Sequence, residues 1–265
     1  MTASDFEYDG LLLSSICFMV CQFDEGSGFQ SSSAGSTLTM TTISQNNGRR
    51  KYIVNSVYED VFSPTISICK PDGSTVTTDE YEFIMHWLNR PDFHKLTIMT
   101  PEWQRINFNC TCANIEKVEF RGRIVGFNLQ FQADSAFGWG DQISEEFTIP
   151  SANGSYEIND QSDELGFLYP DSMEISCSNA GDMTITNTAE PERATTISSC
   201  TNGETILING TTLEITSSTG RNVYDSFNFN YPRIVNSVMD SINTFTFSLP
   251  CSVTISYTPI RKAVF

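Results

Sequence analysis

Apolar and polar residues alternate along most of the chain, which is the period of β-strands with one buried face. The alternation is regular over 38–40, 125–131 and 245–257, where apolar residues take every second position. Each of these stretches predicts a strand with one face on a core and the other in water or against a partner.

One hairpin is predicted in the second half of the chain. Apolar residues alternate over 206–208 and again over 213–215, on either side of an Asn-Gly dipeptide at 209–210. Asn-Gly accepts the positive φ angles of a tight turn. The pattern therefore predicts a β-hairpin with Leu213 and Ile215 on the apolar face of its second strand.

A helical period appears once, over 77–90. Apolar residues at spacings of three and four form one stripe: Tyr81, Ile84, Met85 and Leu88. Thr77 and Glu80 have the spacing of a capping box, and Pro91 ends the helix. We expect this stripe to cover a sheet.

The length of 265 residues favours two domains over a single core. Residues 24–36 are rich in Gly and Ser and predict a mobile loop, and 134–154 mix glycines, a proline and acids between two strand-rich halves. The boundary is placed near Gly140, which gives domains 1–140 and 141–265.

The formal net charge is −17 at pH 7. A chain this acidic repels phosphate backbones and anionic lipid, so nucleic-acid and membrane binding are disfavoured. No run of 18 uncharged apolar residues occurs, which argues against a transmembrane helix. The acidic stretch from Met1 to Asp9 is unlike a signal peptide, so the sequence favours assembly in a cytoplasm.

The cysteines lie at positions 17, 21, 69, 110, 112, 177, 200 and 251. Most stand where a small apolar strand residue would fit, and Cys110 and Cys112 continue the alternation that Ile106 and Phe108 begin. No C-x-x-C motif is present. Reduced, buried thiols are therefore favoured over a disulfide framework or a zinc site.

No catalytic motif accompanies the two histidines. His86 lies inside the predicted helix, His94 opens a strand, and the chain has no G-x-S-x-G. Acidic pairs such as 145–146 and 163–164 are expected by chance in so acidic a chain. The run 160–166 lacks the ligand spacing of a calcium loop. We therefore predict neither an enzyme nor a bound cofactor or metal.

Basic residues cluster twice, at Arg49, Arg50 and Lys51 and at Arg121 and Arg123. Both clusters fall at predicted hairpin turns. One interpretation is simple solubility of the turns, and the other is contact with an acidic neighbouring subunit.

The order of motifs resembles that of a known family. The motifs are Phe6-x-Tyr8-Asp9-Gly10, the capped helix, 203–210 (GETILING), 227–234 (FNFNYPRI), Asn243-Thr-Phe245, 253–257 (VTISY) and Arg261. In this order the chain resembles the distal tail proteins (Dit family) of long-tailed, siphovirus-like bacteriophages. The resemblance covers essentially the whole chain.

The resemblance implies a mainly β protein with two domains. An N-terminal β-sandwich or belt domain, with one α-helix and a β-hairpin arm, would close a hexameric ring around the DNA channel. A C-terminal galectin-like β-sandwich would project outward and carry receptor-binding or baseplate proteins. The ring would join the major tail tube protein to the tail-associated hub protein at the virion tail tip, with DNA passing through unbound.

Two rival functions remain open from the residues. A carbohydrate-binding β-sandwich adhesin is the first, with Tyr169, Tyr224 and Tyr231 as candidates for stacking on sugars if they are exposed. An esterase or glycosidase is the second, and it lacks a supporting motif.

Overall fold

The computed structural model describes residues 4–23, 37–42, 51–57, 61–100, 103–238 and 240–262. The predicted loop at 24–36 lies outside these residues. The chain divides into two compact units, Met1–Gly140 with Lys262–Phe265, and Asp141–Arg261. Each unit has a hydrophobic core of its own.

The first unit contains ten strands, a 3₁₀ turn (Leu13–Ile16) and a helix within its described residues. The strands are β1 (Asp5–Tyr8), β2 (Leu11–Leu12), β3 (Met19–Cys21), β4 (Thr37–Thr42), β5 (Lys51–Val57), β6 (Thr65–Cys69), β7 (His94–Thr100), β8 (Trp103–Phe120), β9 (Arg123–Ala133) and β10 (Gly138–Trp139). The helix is α1 (Thr78–Leu88).

The main sheet of this unit has the order β2-β1-β7-β8-β9-β6-β3, and β10 pairs with β8. Strands β4 and β5 form a separate antiparallel pair. The predicted alternation of 125–131 is confirmed, because Phe127, Leu129 and Phe131 are buried in the core. These rings and aliphatic chains form the sheet face that the helix covers.

Helix α1 begins and ends close to its predicted bounds. The Thr77 side chain accepts a hydrogen bond from the Glu80 backbone, and the Glu80 carboxylate accepts one from Thr77 N. The capping box is thus confirmed. Ile84 and Leu88 of the predicted stripe are buried, together with Trp87, whose ring stacks on Phe6 of the sheet at 6.0 Å.

The second unit is a β-sandwich. Its strands are β11 (Ile143–Ile149), β12 (Gly154–Asn159), β13 (Gly166–Leu168), β14 (Ser172–Cys177), β15 (Gly181–Asn187), β16 (Thr195–Cys200), β17 (Thr205–Asn209), β18 (Glu214–Ser217), β19 (Ile234–Asn236), β20 (Ile242–Phe247), β21 (Cys251–Tyr257) and β22 (Ile260–Arg261). A 3₁₀ turn (Val223–Ser226) precedes β19.

Two antiparallel sheets of this unit enclose one core. Their orders are β11-β21-β14-β17-β18 and β12-β20-β15-β16, and β13 and β19 form a short ribbon beside them. Every second residue of β21 from Cys251 to Tyr257 is buried, which confirms the strand predicted there. Buried side chains of both sheets meet in a single cluster.

The β17–β18 hairpin is present, but its turn differs from the prediction. Asn209 pairs with Glu214, so four residues intervene, and the positive φ belongs to Leu213 at 55°. The Asn209 side chain accepts hydrogen bonds from Thr211 N and Thr212 N. The Asn side chain therefore holds a wider loop, in which Leu213 is exposed while Ile215 is buried.

Candidate functional site

The best-described candidate among the predicted contact residues is the tip of the β8–β9 hairpin. Arg121 and Gly122 both have positive φ, at 52° and 73°, and Phe120 pairs with Arg123 across the turn. Two consecutive positive φ angles define the tight turn whose twist suits a hairpin. Gly at the second position accommodates this conformation without strain.

The hairpin tip presents an aromatic ring and two cations to solvent. All five residues from 119 to 123 are exposed, and Phe120 has an exposed fraction of 63%. The Arg121 guanidinium lies 5.2 Å from the centre of the Phe120 ring. Exposed aromatic and arginine side chains together are typical of protein contact sites.

The other predicted basic cluster is only partly within the described residues. Lys51 begins β5, whereas Arg49 and Arg50 lie outside the described residues. Of the five predicted contact residues, the structure thus describes the side chains of Arg121 and Arg123. These two stand on either side of one turn.

A thiol, a histidine and a carboxylate occur near one another where β7 begins. His94 is paired with Cys110 across the strands, and His94 Nδ1 lies 3.6 Å from Asp9 Oδ1. Burial raises the pKa of the Cys110 thiol to about 12, whereas a nucleophilic cysteine needs a lowered pKa. The hydrogen bond from Arg90 lowers the pKa of Asp9. These contacts are those of a structural ion pair.

His86 is exposed on the outer side of α1. The contacts of Asp9 with Arg90 and His94 form where β1 and the helix end and β7 begins. Of the two histidines, His94 takes part in this group.

The structure holds all eight cysteines as free thiols, but three of them are less buried than predicted. Cys17 is exposed, because it ends the 3₁₀ turn in a left-handed conformation with φ of 60°. Cys21 and Cys69 are half-buried, and the other five are buried. Burial raises the pKa of Cys112 and of Cys251 to about 11.

We expect thiol titration to reflect this difference in exposure. In the native protein at pH 8, Cys17 should react with a disulfide reagent first, and Cys17→Ser should remove that fast phase. After denaturation without reductant, close to eight thiols should react. A denatured count near zero would contradict the assignment of free thiols.

In the second unit, aromatic side chains form a continuous row. Neighbouring ring centres lie 5.0–6.3 Å apart along the row. The row runs in the order Phe167, Tyr169, Tyr231, Phe227, Phe229 and Tyr224. Its middle is buried and both ends reach the surface.

The predicted sugar-stacking tyrosines occupy unequal places in this row. Tyr231 is only 9% exposed, and its hydroxyl donates to Leu213 O, so it is not a surface platform. Tyr169 is half-buried, and its hydroxyl accepts a hydrogen bond from Arg233. Tyr224 is exposed.

The most exposed rings of the row, Phe229 and Phe167, were missed from the sequence. Phe227, Phe229 and Tyr231 alternate like inward residues of one strand, but Phe229 has a positive φ of 61° that turns its ring outward. Only the backbone conformation reveals this reversal.

Family models match both halves of the chain. A model described as phage tail protein N-terminal domain matches residues 1–135, and a model described as phage tail C-terminal domain matches residues 137–257. The chain belongs to the phage tail protein family. The resemblance identified from the motifs is thereby confirmed at the level of family.

One solved structure of another phage protein shares the fold of this chain. The Dit protein of phage SPP1, described as a paradigm of the hub adsorption apparatus in phages that infect Gram-positive bacteria, aligns with a TM-score of 0.64 at 12% identity over 97% of this chain and 99% of its own. The phage P2 baseplate, in its activated conformation with Ca, aligns with a TM-score of 0.41 at 12% identity, over 97% and 98% of the two chains. A comparison with curated protein sequences gives no match.

This phage tail protein has no group of three or more His, Cys, Asp or Glu side chains placed to hold a metal among its described residues. Within the same residues, no helix is long and apolar enough to cross a membrane. The candidate sites that remain are contact surfaces, at the β8–β9 hairpin tip and along the aromatic row.

Proposed function

We propose that this phage tail protein is a structural, non-enzymatic component of the tail tip in which identical copies close a ring of six. The ring joins the tail tube protein to the tail-associated hub protein, and adhesion proteins attach to it during host attachment. It is assembled in the host cytoplasm, takes no cofactor, and lets DNA pass without specific binding.

The observation that carries this proposal is the shared fold over nearly the full length of two chains. The SPP1 Dit protein, which belongs to a hub adsorption apparatus, aligns with 97% of this chain at a TM-score of 0.64. Each unit of this chain finds its counterpart there, and the family models independently assign both units to phage tails.

The β8–β9 hairpin supports ring closure by a contact between unlike surfaces of adjacent copies. Such contacts generate closed rings when the rotation between copies closes. Arg121 and Arg123 at the tip carry two positive charges in a chain of net charge −17. They therefore suit an acidic surface of the next copy, where charge complementarity fixes the register. Arg49, Arg50 and Lys51 belong to the same proposal.

The charge distribution supports different roles for residues 1–140 and 141–265, the first in closing the ring and the second outside it. Residues 142–265 hold 5 basic and 15 acidic residues, so copies of this galectin-like part repel one another and extend outward. Ten of the 15 basic residues lie in 1–141. The N-terminal part accordingly closes the ring.

Charge reversal at the hairpin tip tests this proposal with the full chain. We expect Arg121→Glu with Arg123→Glu to weaken self-association by about tenfold or more, because attraction to the neighbouring copy becomes repulsion. Light scattering over a concentration series, alone and with purified hub protein, gives the mass. The wild-type ring should also weaken as salt rises.

Lys95→Glu is the matched control, since Lys95 is exposed on β7 of the same unit. It reverses one charge away from the tip, against two in the double variant, and should leave the mass unchanged. A wild-type chain that stays monomeric with and without hub protein contradicts the ring. If the ring survives the double reversal as well as it survives Lys95→Glu, the role of the hairpin is contradicted, while the ring itself is not.

A further inference from the structure

Phe229 occupies an unusual position in the second unit. It is 60% exposed, and its φ of 61° lies in the left-handed region that bulky residues avoid. Neither feature stabilises the fold, because the backbone is strained and the ring stays largely in water. The conformation and exposure of Phe229 therefore call for another explanation.

The loop that carries Phe229 is fixed by the asparagines on either side. Asn228 Oδ1 accepts hydrogen bonds from Thr196 N and Asn230 N, both at 3.1 Å. The side-chain nitrogens of Asn228 and Asn230 both donate to Ala194 O, at 2.8 and 3.1 Å. Phe229 is thus held outward by a rigid support.

Tyr224 extends the exposed ring of Phe229 into a platform. The two ring centres lie 6.1 Å apart and their planes differ by 22°. Tyr224 is 37% exposed, and its hydroxyl is anchored by a hydrogen bond from Ile215 N at 3.2 Å. Phe227 packs against Phe229 from the buried side at 5.5 Å. The platform of Tyr224 and Phe229 is therefore preorganised.

Two acidic residues adjoin the platform along the chain. Asp225 follows Tyr224 directly, and Glu214 precedes the residue whose backbone anchors the Tyr224 hydroxyl; both carboxylates are exposed. Carboxylates accept hydrogen bonds from hydroxyl groups. Exposed aromatic faces attract the apolar C–H faces of flat ligands. Together they match a ligand that has C–H faces and many hydroxyl donors.

We propose that Tyr224 and Phe229 form a stacking site for a neutral saccharide, with Asp225 and Glu214 accepting hydrogen bonds from its hydroxyls. The acidic second unit repels polyanions and further copies of itself, which disfavours an anionic ligand. This inference goes beyond the ring role and does not depend on it.

The test uses the full chain and a panel of neutral hexose and N-acetylhexosamine oligosaccharides, first on an array and then by calorimetric titration. We expect at least one oligosaccharide to bind. Phe229→Gly should weaken that binding by about tenfold or more without lowering the melting temperature, because glycine relieves the positive φ. Phe229→Tyr keeps an aromatic face and should retain binding.

Phe167→Ala is the matched control, since Phe167 is a 53% exposed ring at the other end of the same row. It should leave the affinity unchanged. The proposal is overturned if no oligosaccharide binds, if Phe229→Gly binds as well as wild type, or if Phe229→Tyr loses binding as Phe229→Gly does. The proposal is also overturned, in favour of a basic partner, if a lysine-rich peptide binds through Phe229 while no sugar does.

Discussion

Replacing Arg221 with methionine is expected to destabilise the second unit by about 3 kcal/mol, because it leaves a buried carboxylate without its cation. Glu204 has an exposed fraction of 1%. Its Oε1 accepts hydrogen bonds from Arg221 Nε at 2.5 Å and from Ser217 Oγ at 2.6 Å. Its other oxygen accepts one from Thr201 N.

The effect of Arg221→Met should depend on pH. Burial alone raises the pKa of the Glu204 carboxyl, but hydrogen bonds from Ser217, Arg221 and Thr201 together lower it below its usual range. A lowered folded-state pKa contributes stability above the unfolded-state value, and this is lost as pH falls through the folded-state value. The difference in the free energy of unfolding between wild type and Arg221→Met should therefore become smaller below about pH 4.5.

Urea unfolding at pH 7 and at acidic pH measures both effects of Arg221→Met. Adding Glu204→Gln to the variant should recover part of the loss, since the buried charge is then removed. Arg123→Met, at an exposed position, should change the free energy of unfolding by no more than about 0.5 kcal/mol. An Arg221→Met variant as stable as wild type at pH 7 would show that the pair is dispensable.

Gly210→Ala is expected to cost about 3 kcal/mol, because the added methyl group has no room. A Cβ at Gly210 would lie 1.9 Å from Pro170 O and 2.9 Å from Tyr169 Cβ. The Gly210 N–H donates to Asp171 O at 3.2 Å, so the hairpin lies directly against the 170–171 backbone. The clash with the added methyl group can be relieved only if the hairpin moves away from the 170–171 backbone.

The matched control for Gly210→Ala is Gly203→Asn in the same unit. Gly203 has a φ of 78° and open space where its Cβ would be. Asparagine tolerates that conformation, so a cost of at most about 1 kcal/mol is expected. Equilibrium unfolding in urea compares the two. Equal costs would mean that close approach is not the reason for glycine at 210.

The sequence by itself determined the local elements whose signals are contained in adjacent residues. Helix α1 appears where predicted, because the Thr77 and Glu80 side chains act on backbone groups within one turn. The strand containing Phe127 and the strand β21 appear because alternation alone separates a buried face from an exposed one. The motif order was also sufficient to indicate the phage tail family.

Only the tertiary structure decided which side chains lie at sites, because those depend on backbone brought from elsewhere in the chain. Residue 210 has to be glycine because the backbone of Pro170, forty positions earlier, lies against it, and not because its own turn requires glycine. Phe229 faces outward because its neighbours bind Ala194 and Thr196, although its spacing is that of an inward residue. Glu204 is ionised and buried because Arg221 and Ser217 meet it from a different strand and loop. Long-range contacts of this kind leave no periodic trace, so they emerge only when the chain is folded.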